Sequence, residues 1–212
     1  HRFLAAQHYA LNRHLPYVEG DVDLPVFPIF SLNNLAAGVN TVIPAIDVGT
    51  PSDRDSLILM AQMKSQNVTC VTLSPGLLNG LSKYCLDNKI TLPGLRRIIT
   101  GGAPVSRDDT KRIKSVCPNA EILILYGSTE VEPMGHISAS EMLNLKTRAD
   151  EDAEWVDEGV NVGHMDEGLQ TKFIKITKES ITISSDSDWK KYEVAHGEVG
   201  EIIVAGEHVC HG

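Results

Sequence analysis

At 212 residues, with 42% apolar and 22% charged side chains, the chain is long enough for one substantial core plus an appendage. Its formal net charge of −9 argues against a nucleic-acid groove, which needs a basic stripe. No apolar run reaches the ~20 residues of a membrane-spanning helix, and no signal-peptide pattern opens the sequence.

In chain order, residues 2–14 read as a helix, 23–27 as a strand, 32–37 as a helix and 41–44 as a strand. Residues 53–64 carry an amphipathic helical pattern with Ser52 as its cap, and the apolar strand 68–73 follows. Ser74 and Pro75 give a cap with proline in the first helical turn, opening a helix that reaches about Cys85. Residues 95–100 form a strand, Ser106 caps a helix to about Val116, and 121–125 is the next strand. This alternation predicts an α/β fold of three αβα layers around a largely parallel sheet.

The character changes after Met134. Asp150-Glu151-Asp152, Glu154, Asp157 and Glu158 make a dense acidic run that reads as a solvated loop. Beyond it, residues 169–176, 180–184 and 200–204 alternate as short strands. The organisation expected is an α/β subdomain over 1–137, an acidic loop over 138–159 and a β-rich piece over 160–212. Cys70, Cys85, Cys117 and Cys210 are widely spaced without a Cys-x-x-Cys pair, which fits reduced thiols and a cytoplasmic setting. His208, Cys210 and His211 offer ligating atoms near the end of the chain but lack a partner cluster.

Two segments carry the chemistry. Gly101-Gly102-Ala103-Pro104 ends one strand, and Tyr126-Gly127-Ser128-Thr129-Glu130 ends the next, one strand-helix-strand unit later. Two polar loops are thereby expected at neighbouring strand ends, where parallel sheets bind ligands. Paired glycines let the backbone turn sharply and approach a flat base or a phosphate. Tyr126 offers an aromatic face, Gly127 clearance, Ser128 and Thr129 hydroxyls, and Glu130 a carboxylate suited to Mg²⁺. Neither a Gly-x-Ser-x-Gly elbow nor a Gly-x-x-x-x-Gly-Lys-Ser/Thr loop is present, which disfavours a serine hydrolase and a P-loop NTPase. His136, alone after the second segment, reads as structural or solvated.

These segments resemble those of the adenylate-forming (AMP-binding) synthetases, which include acyl-CoA synthetases, luciferases and peptide-synthetase adenylation domains. The resemblance runs from His1, similar to the residue after that family's phosphate loop, to Gly200-Glu201-Ile202-Ile203-Val204-Ala205-Gly206, similar to its late strand. It implies that residues 160–212 are part of a small β-barrel. It also implies that Gly102, Ala103 and Pro104 line adenine, Tyr126 stacks on it, and Gly127 and Ser128 complete the nucleotide site. Thr129 would bind the α-phosphate and Glu130 would hold Mg²⁺, these two being the catalytic pair.

The implied reaction is carboxylate plus ATP giving acyl-AMP and pyrophosphate, usually followed by transfer to coenzyme A. The family's phosphate loop, ribose motif and C-terminal lysine domain have no counterpart in the sequence, so the chain is expected to be an internal portion of the enzyme, inactive alone. Its partners would then be the remaining parts of that enzyme. The acyl pocket would be formed by Phe30, Ser31, Gly101 and Gly127, with Leu32 and Leu35 adding alkyl-chain contacts at about 0.8 kcal/mol per buried CH₂. Ser31 stands where the family carries histidine. Residues 23–47 and Glu132-Pro133-Met134 resemble a long-chain subgroup that includes synthetases making β-lactones from β-hydroxy fatty acids. A β-lactone synthetase and a noncatalytic nucleotide-binding module stand as alternatives to the acid-thiol ligase.

Overall fold

The computed structural model describes residues 2–14, 17–50, 52, 54–145 and 159–210. Helix α1 (Arg2–His14) precedes β1 (Val22–Pro25), α2 (Pro28–Ala37) and β2 (Asn40–Thr41). Then come α3 (Asp55–Ser65), β3 (Cys70–Leu73), α4 (Pro75–Asp87), β4 (Arg97–Gly101), α5 (Arg107–Val116) and β5 (Glu121–Ser128). Strand β6 (Val131–Ser138), helix α6 (Ala139–Asn144) and the short β7 (His164–Met165) complete a seven-stranded sheet ordered β2-β1-β3-β4-β5-β6-β7. Strands β1 to β5 run parallel, while β6 and β7 are antiparallel to their neighbours.

Period-two alternation sends each strand's side chains to two apolar layers, as a sheet covered on both faces requires. Leu24, Val71, Leu73, Ile98 and Ile122 pack against Leu59 and Met63 of α3, Leu78 and Leu81 of α4, and Ile113 of α5. On the other face Ile99, Leu123 and Leu125 meet Leu11 of α1 and Phe30 of α2. The expected three-layer α/β architecture with a largely parallel sheet is thus present.

Local signals explain several helix starts. Ser74 accepts the Leu77 N–H at 3.4 Å and Pro75 follows it, as read from the sequence. Ser106 and Asp109 form a reciprocal capping box at α5. Ser52 behaves otherwise: its N–H and hydroxyl donate to the Asp55 carboxylate at 2.9 and 2.7 Å, and the cap position of α3 is Arg54. Asp55 is the better acceptor, so the serine serves as donor.

Other expectations shift. Helix α2 starts at Pro28, four residues before the predicted 32, because proline suits a first turn. Strand β5 continues through Tyr126 and Gly127 to Ser128 and returns as a hairpin whose two turn residues are Thr129 and Glu130. The second predicted loop is therefore a strand end plus a tight turn. Residues 180–184 form no strand; a 3₁₀ turn over Asp186–Lys191 follows them.

The sheet extends past residue 137, since Met142 of α6 packs with Ile124, Ile137 and Val105, and β7 pairs with β6. Strands β8 (Gln170–Ile174) and β9 (Glu201–Ala205) make a separate antiparallel pair in the β-rich part. The acidic run between residues 150 and 158 lies outside the described residues, as do His1 and His211. Among the described residues no helix is long and apolar enough to cross a membrane.

Candidate functional site

The carboxyl ends of β4 and β5 lie side by side, with Gly101 paired to Leu125. The reason for Gly101 is the neighbouring strand: a Cβ there would stand 2.6 Å from the Leu125 carbonyl oxygen. Gly102 carries the turn instead, at φ +80°, a region open to glycine. The chain leaves the sheet there through the exposed Ala103 and Pro104.

Two cavities open on this ridge and share Gly102, Leu125 and Gly127 in their walls. The smaller, about 230 Å³, is lined by Ala103, Pro104, Tyr126, Met142 and the 160–162 segment. It is a mostly apolar cavity whose wall includes Tyr126. The larger, about 600 Å³, lies toward α1 and α2, with Phe27, Ile29, Phe30 and Ile99 on its apolar side. Ser128, Thr129, Glu130 and Glu132 bring polar groups to the same cavity.

At the hairpin tip Ser128 Oγ donates to Glu130 Oε2 at 2.8 Å. That hydrogen bond, with the residue's own N–H, holds the exposed Glu130 carboxyl below the usual carboxylate range. One of its oxygens remains for a cation. No group of three or more His, Cys, Asp or Glu residues is gathered for a metal among the described residues. A lone carboxylate fits magnesium that arrives with phosphate oxygens, since Mg²⁺ is commonly held by one or two carboxylates plus substrate phosphates.

Glu132, two residues on, has the opposite environment. Strand β6 bulges there: three residues, Glu132 to Met134, face the single Gly127 of β5. Pro133 falls inside this irregular stretch, where no ladder hydrogen bond depends on it. Burial raises the Glu132 carboxyl to about 7, and its Oε1 is sealed from solvent without a hydrogen-bond partner. Gly127 gives this carboxyl its space, because a Cβ at Gly127 would meet Glu132 Oε2 at 3.0 Å and Val131 O at 2.8 Å.

The structure gathers most residues singled out by sequence. Gly101, Gly102, Gly127, Ser128, Thr129, Glu130 and Phe30 line the larger cavity; Gly102, Ala103, Pro104, Tyr126 and Gly127 line the smaller. Ser31 is not in either wall, and Leu32 and Leu35 are exposed, because α2 turns only its Phe30 side toward the sheet. Cys70, Cys85 and Cys117 are buried free thiols, and Cys210 is an exposed one. His208 is buried with Nε2 3.0 Å from the Pro133 carbonyl. The His136 ring lies against that of His14, tilted with centroids 4.3 Å apart, its pKa pushed down by burial and by His14 and His164.

Gln7, Thr72 and Glu132 also line the larger cavity, and the sequence assigned none of them to a site. A polar residue on the stripe Phe3, Gln7, Ala10 and Leu11 was the readable signal for the first.

The family of AMP-binding enzymes matches residues 1–212, the whole chain. The chain belongs to the AMP-binding enzyme family. Among curated AMP-binding relatives, it is 33% identical over 208 residues to an olefin beta-lactone synthetase of Stenotrophomonas maltophilia (strain K279a), covering 97% of this chain and 35% of that protein. It is 31% identical over 120 residues to 4-coumarate–CoA ligase-like 9 of Arabidopsis thaliana, covering 52% of this chain and 19% of the relative. The chain thus spans about a third of the length of the first of these relatives. The fold is similar to that of O-succinylbenzoate coenzyme A synthetase (MenE) of Bacillus subtilis, solved with ATP and magnesium. The TM-score is 0.68 at 15% identity, covering 100% of this chain and 38% of the other.

Proposed function

We propose that the twin-cavity crevice is the adenylation site of an AMP-dependent acyl synthetase. The whole enzyme would convert a carboxylic acid and ATP to acyl-AMP and pyrophosphate, then pass the acyl group to coenzyme A. The observation that carries this reading is the pair of cavities joined at Gly102, Leu125 and Gly127. The smaller, mostly apolar cavity with Tyr126 in its wall suits adenine, and the cavity walled by Phe27, Ile29 and Phe30 suits an acyl chain. The carboxylate and the α-phosphate would then meet at the ridge between them. Holding two reactants in that geometry removes much of the entropic barrier to their reaction.

The steps assigned to this chain are binding and charge placement. A carboxylate oxygen attacks the α-phosphorus, and the bond from that phosphorus to the oxygen bridging to pyrophosphate breaks. The Thr129 hydroxyl would donate to an α-phosphate oxygen, and Glu130 would hold the magnesium that accompanies ATP. Bound magnesium supplies neutralisation of phosphate charge. Gly102, without a side chain at the turn between the cavities, keeps the ridge low enough for substrate to cross. The phosphate loop and the C-terminal lysine domain of the family would complete the site from the rest of the protein, in a cytoplasmic enzyme.

A second reading, closure of a β-hydroxy acyl adenylate to a β-lactone, is favoured by the 33% identity to the olefin beta-lactone synthetase. It uses the same adenylation step and differs in the acceptor.

Glu130→Ala tests the shared step. The carboxylate is exposed at a turn, so its loss removes cation binding and leaves packing alone. Acid-dependent pyrophosphate exchange by the full-length protein should fall roughly 100-fold, with the melting temperature nearly unchanged. Undiminished exchange would remove Glu130 from the site.

A further inference from the structure

Little of its own hairpin holds the Thr129–Glu130 turn in place. Ser128 and Val131 pair across it, but the bulge over Glu132 to Met134 interrupts the ladder until Tyr126 meets Gly135. On the outer side of β6, β7 pairs with Gly135 and His136. The edge from Glu130 to Pro133 is taken instead by residues 208–210, just beyond β9, which contact it in antiparallel order. The Cys210 N–H donates to the Glu130 carbonyl at 2.7 Å, and Val209 forms an antiparallel bridge with Val131. His208 Nε2 lies 3.0 Å from the Pro133 carbonyl oxygen. Glu207, one residue earlier, forms an exposed ion pair with Arg2 at the start of α1, at 3.1 Å.

Of these contacts with the turn and the bulge, that of His208 is made by a side chain, and the side chain is only 3% exposed. A carbonyl oxygen can only accept, so Nε2 carries the proton and the imidazole is the donor. The same ring neighbours the tie between α1 and the loop after β7. A Cβ on Gly168 would stand 2.8 Å from Asp166 Oδ1, 3.0 Å from Arg13 Nη2 and 3.8 Å from His208 Cε1. Packing alone would be met by an apolar side chain of similar size. A buried donor aimed at a carbonyl inside the bulge, three residues from Glu130, does more, because it fixes where that backbone lies.

We propose that His208 is a positioning residue for the Thr129–Glu130 turn, setting through the Pro133 carbonyl the place at which Glu130 meets a magnesium ion brought by ATP. The inference rests on the reading of Glu130 as the cation ligand. Groups that orient a metal ligand without touching the metal commonly account for roughly 10–100-fold in metal affinity. An exposed carboxylate depends on such support, because among the described residues no cluster of ligating side chains corrects its aim.

The test is equilibrium binding of ATP to the full-length protein by titration calorimetry, with and without Mg²⁺. The variants are His208→Ala, His208→Gln, Glu130→Ala and the double variant His208→Ala with Glu130→Ala. The quantity read is the ratio of ATP affinities with and without Mg²⁺, which does not depend on the fraction of protein that is folded. Mg²⁺ should strengthen binding by the wild type, and Glu130→Ala should remove most of that gain. His208→Ala should lower the ratio roughly 10-fold. His208→Gln, whose amide can donate to the same carbonyl, should recover most of it. In the Glu130→Ala background, His208→Ala should change the ratio less than about twofold, because residues acting through one group are not additive. His208→Met, which fills the space of the ring without its donor, replaces the alanine variant if that one does not fold.

A ratio unchanged by His208→Ala but lost in Glu130→Ala would overturn the proposal and leave Glu130 as the cation ligand. So would an equal loss from His208→Ala in both backgrounds, the mark of a role in packing alone. A ratio untouched by Glu130→Ala would overturn the cation-ligand reading and this inference with it.

Discussion

Glu130 and Glu132 are two residues apart and have carboxyl groups in opposite states. Glu130 stands in solvent, and the hydrogen bond from Ser128 keeps its carboxyl below the usual carboxylate range, the state that its proposed role as a cation ligand needs. Glu132 is pushed up to about 7 by burial alone. A carboxyl whose folded-state pKa lies above its unfolded value makes folding favour the protonated form. Its contribution is fully present below the unfolded value near 4.5 and is lost as pH rises to about 7. Glu132→Gln should therefore raise the melting temperature more at pH 8 than at pH 5. Equal gains at both pH values would mean that the carboxyl is solvated in the folded protein. The exposed, polar setting of Glu130 was legible in its motif, because hydroxyls beside a carboxylate announce a polar tip. That of Glu132 was not, since its burial depends on a bulge and on α1, far away in sequence.

At the scale of elements, the parallel half of the sheet was readable because each strand is an apolar run followed by a capped helix. Ser74-Pro75 and Ser106 carry that punctuation locally. The antiparallel return was hidden because β6 contains Glu132, Pro133 and Gly135, residues that argue against a strand. Its pairing with β5 and β7 supplies what local propensity lacks, and Pro133 escapes penalty inside the bulge. The close approach of β4 and β5 sets a sharp constraint at Gly101. Gly101→Ala places a Cβ against the Leu125 carbonyl and should cost about 1–3 kcal/mol, by overpacking between two backbones that cannot both move. Urea unfolding would measure it. A neutral result would mean that the strands separate easily, against the observed pairing.

Across the whole molecule, the crevice depends on segments distant in the chain being held together. Helix α1 is tied to the loop after β7, where Arg13 Nη2 donates to Asp166 Oδ1 at 2.7 Å and His14 Nε2 lies 2.6 Å from Asp166 Oδ2. Burial of Asp166 opposes its charge, but His14, the Gly168 N–H and Arg13 together keep its carboxyl below the ordinary range. This brace holds Phe3, Leu4 and Gln7 over the larger cavity. On the far side of the ridge, the 160–162 segment just before β7 closes the smaller one. Such long-range bracing is invisible to local pattern, which is why the sequence indicated the ridge and not the walls around it.

On the proposed reading, these two cavities bring an acid to the α-phosphate of ATP. It is tested most directly by AMP release from ATP by the full-length protein, with plain and hydroxylated fatty acids, each with and without coenzyme A. AMP release should require both an acid and Mg²⁺, with coenzyme A dependence distinguishing a thioester ligase from a lactone-forming enzyme. ATP binding without AMP release for any acid would contradict it and leave a crevice that binds nucleotide without activating a carboxylate.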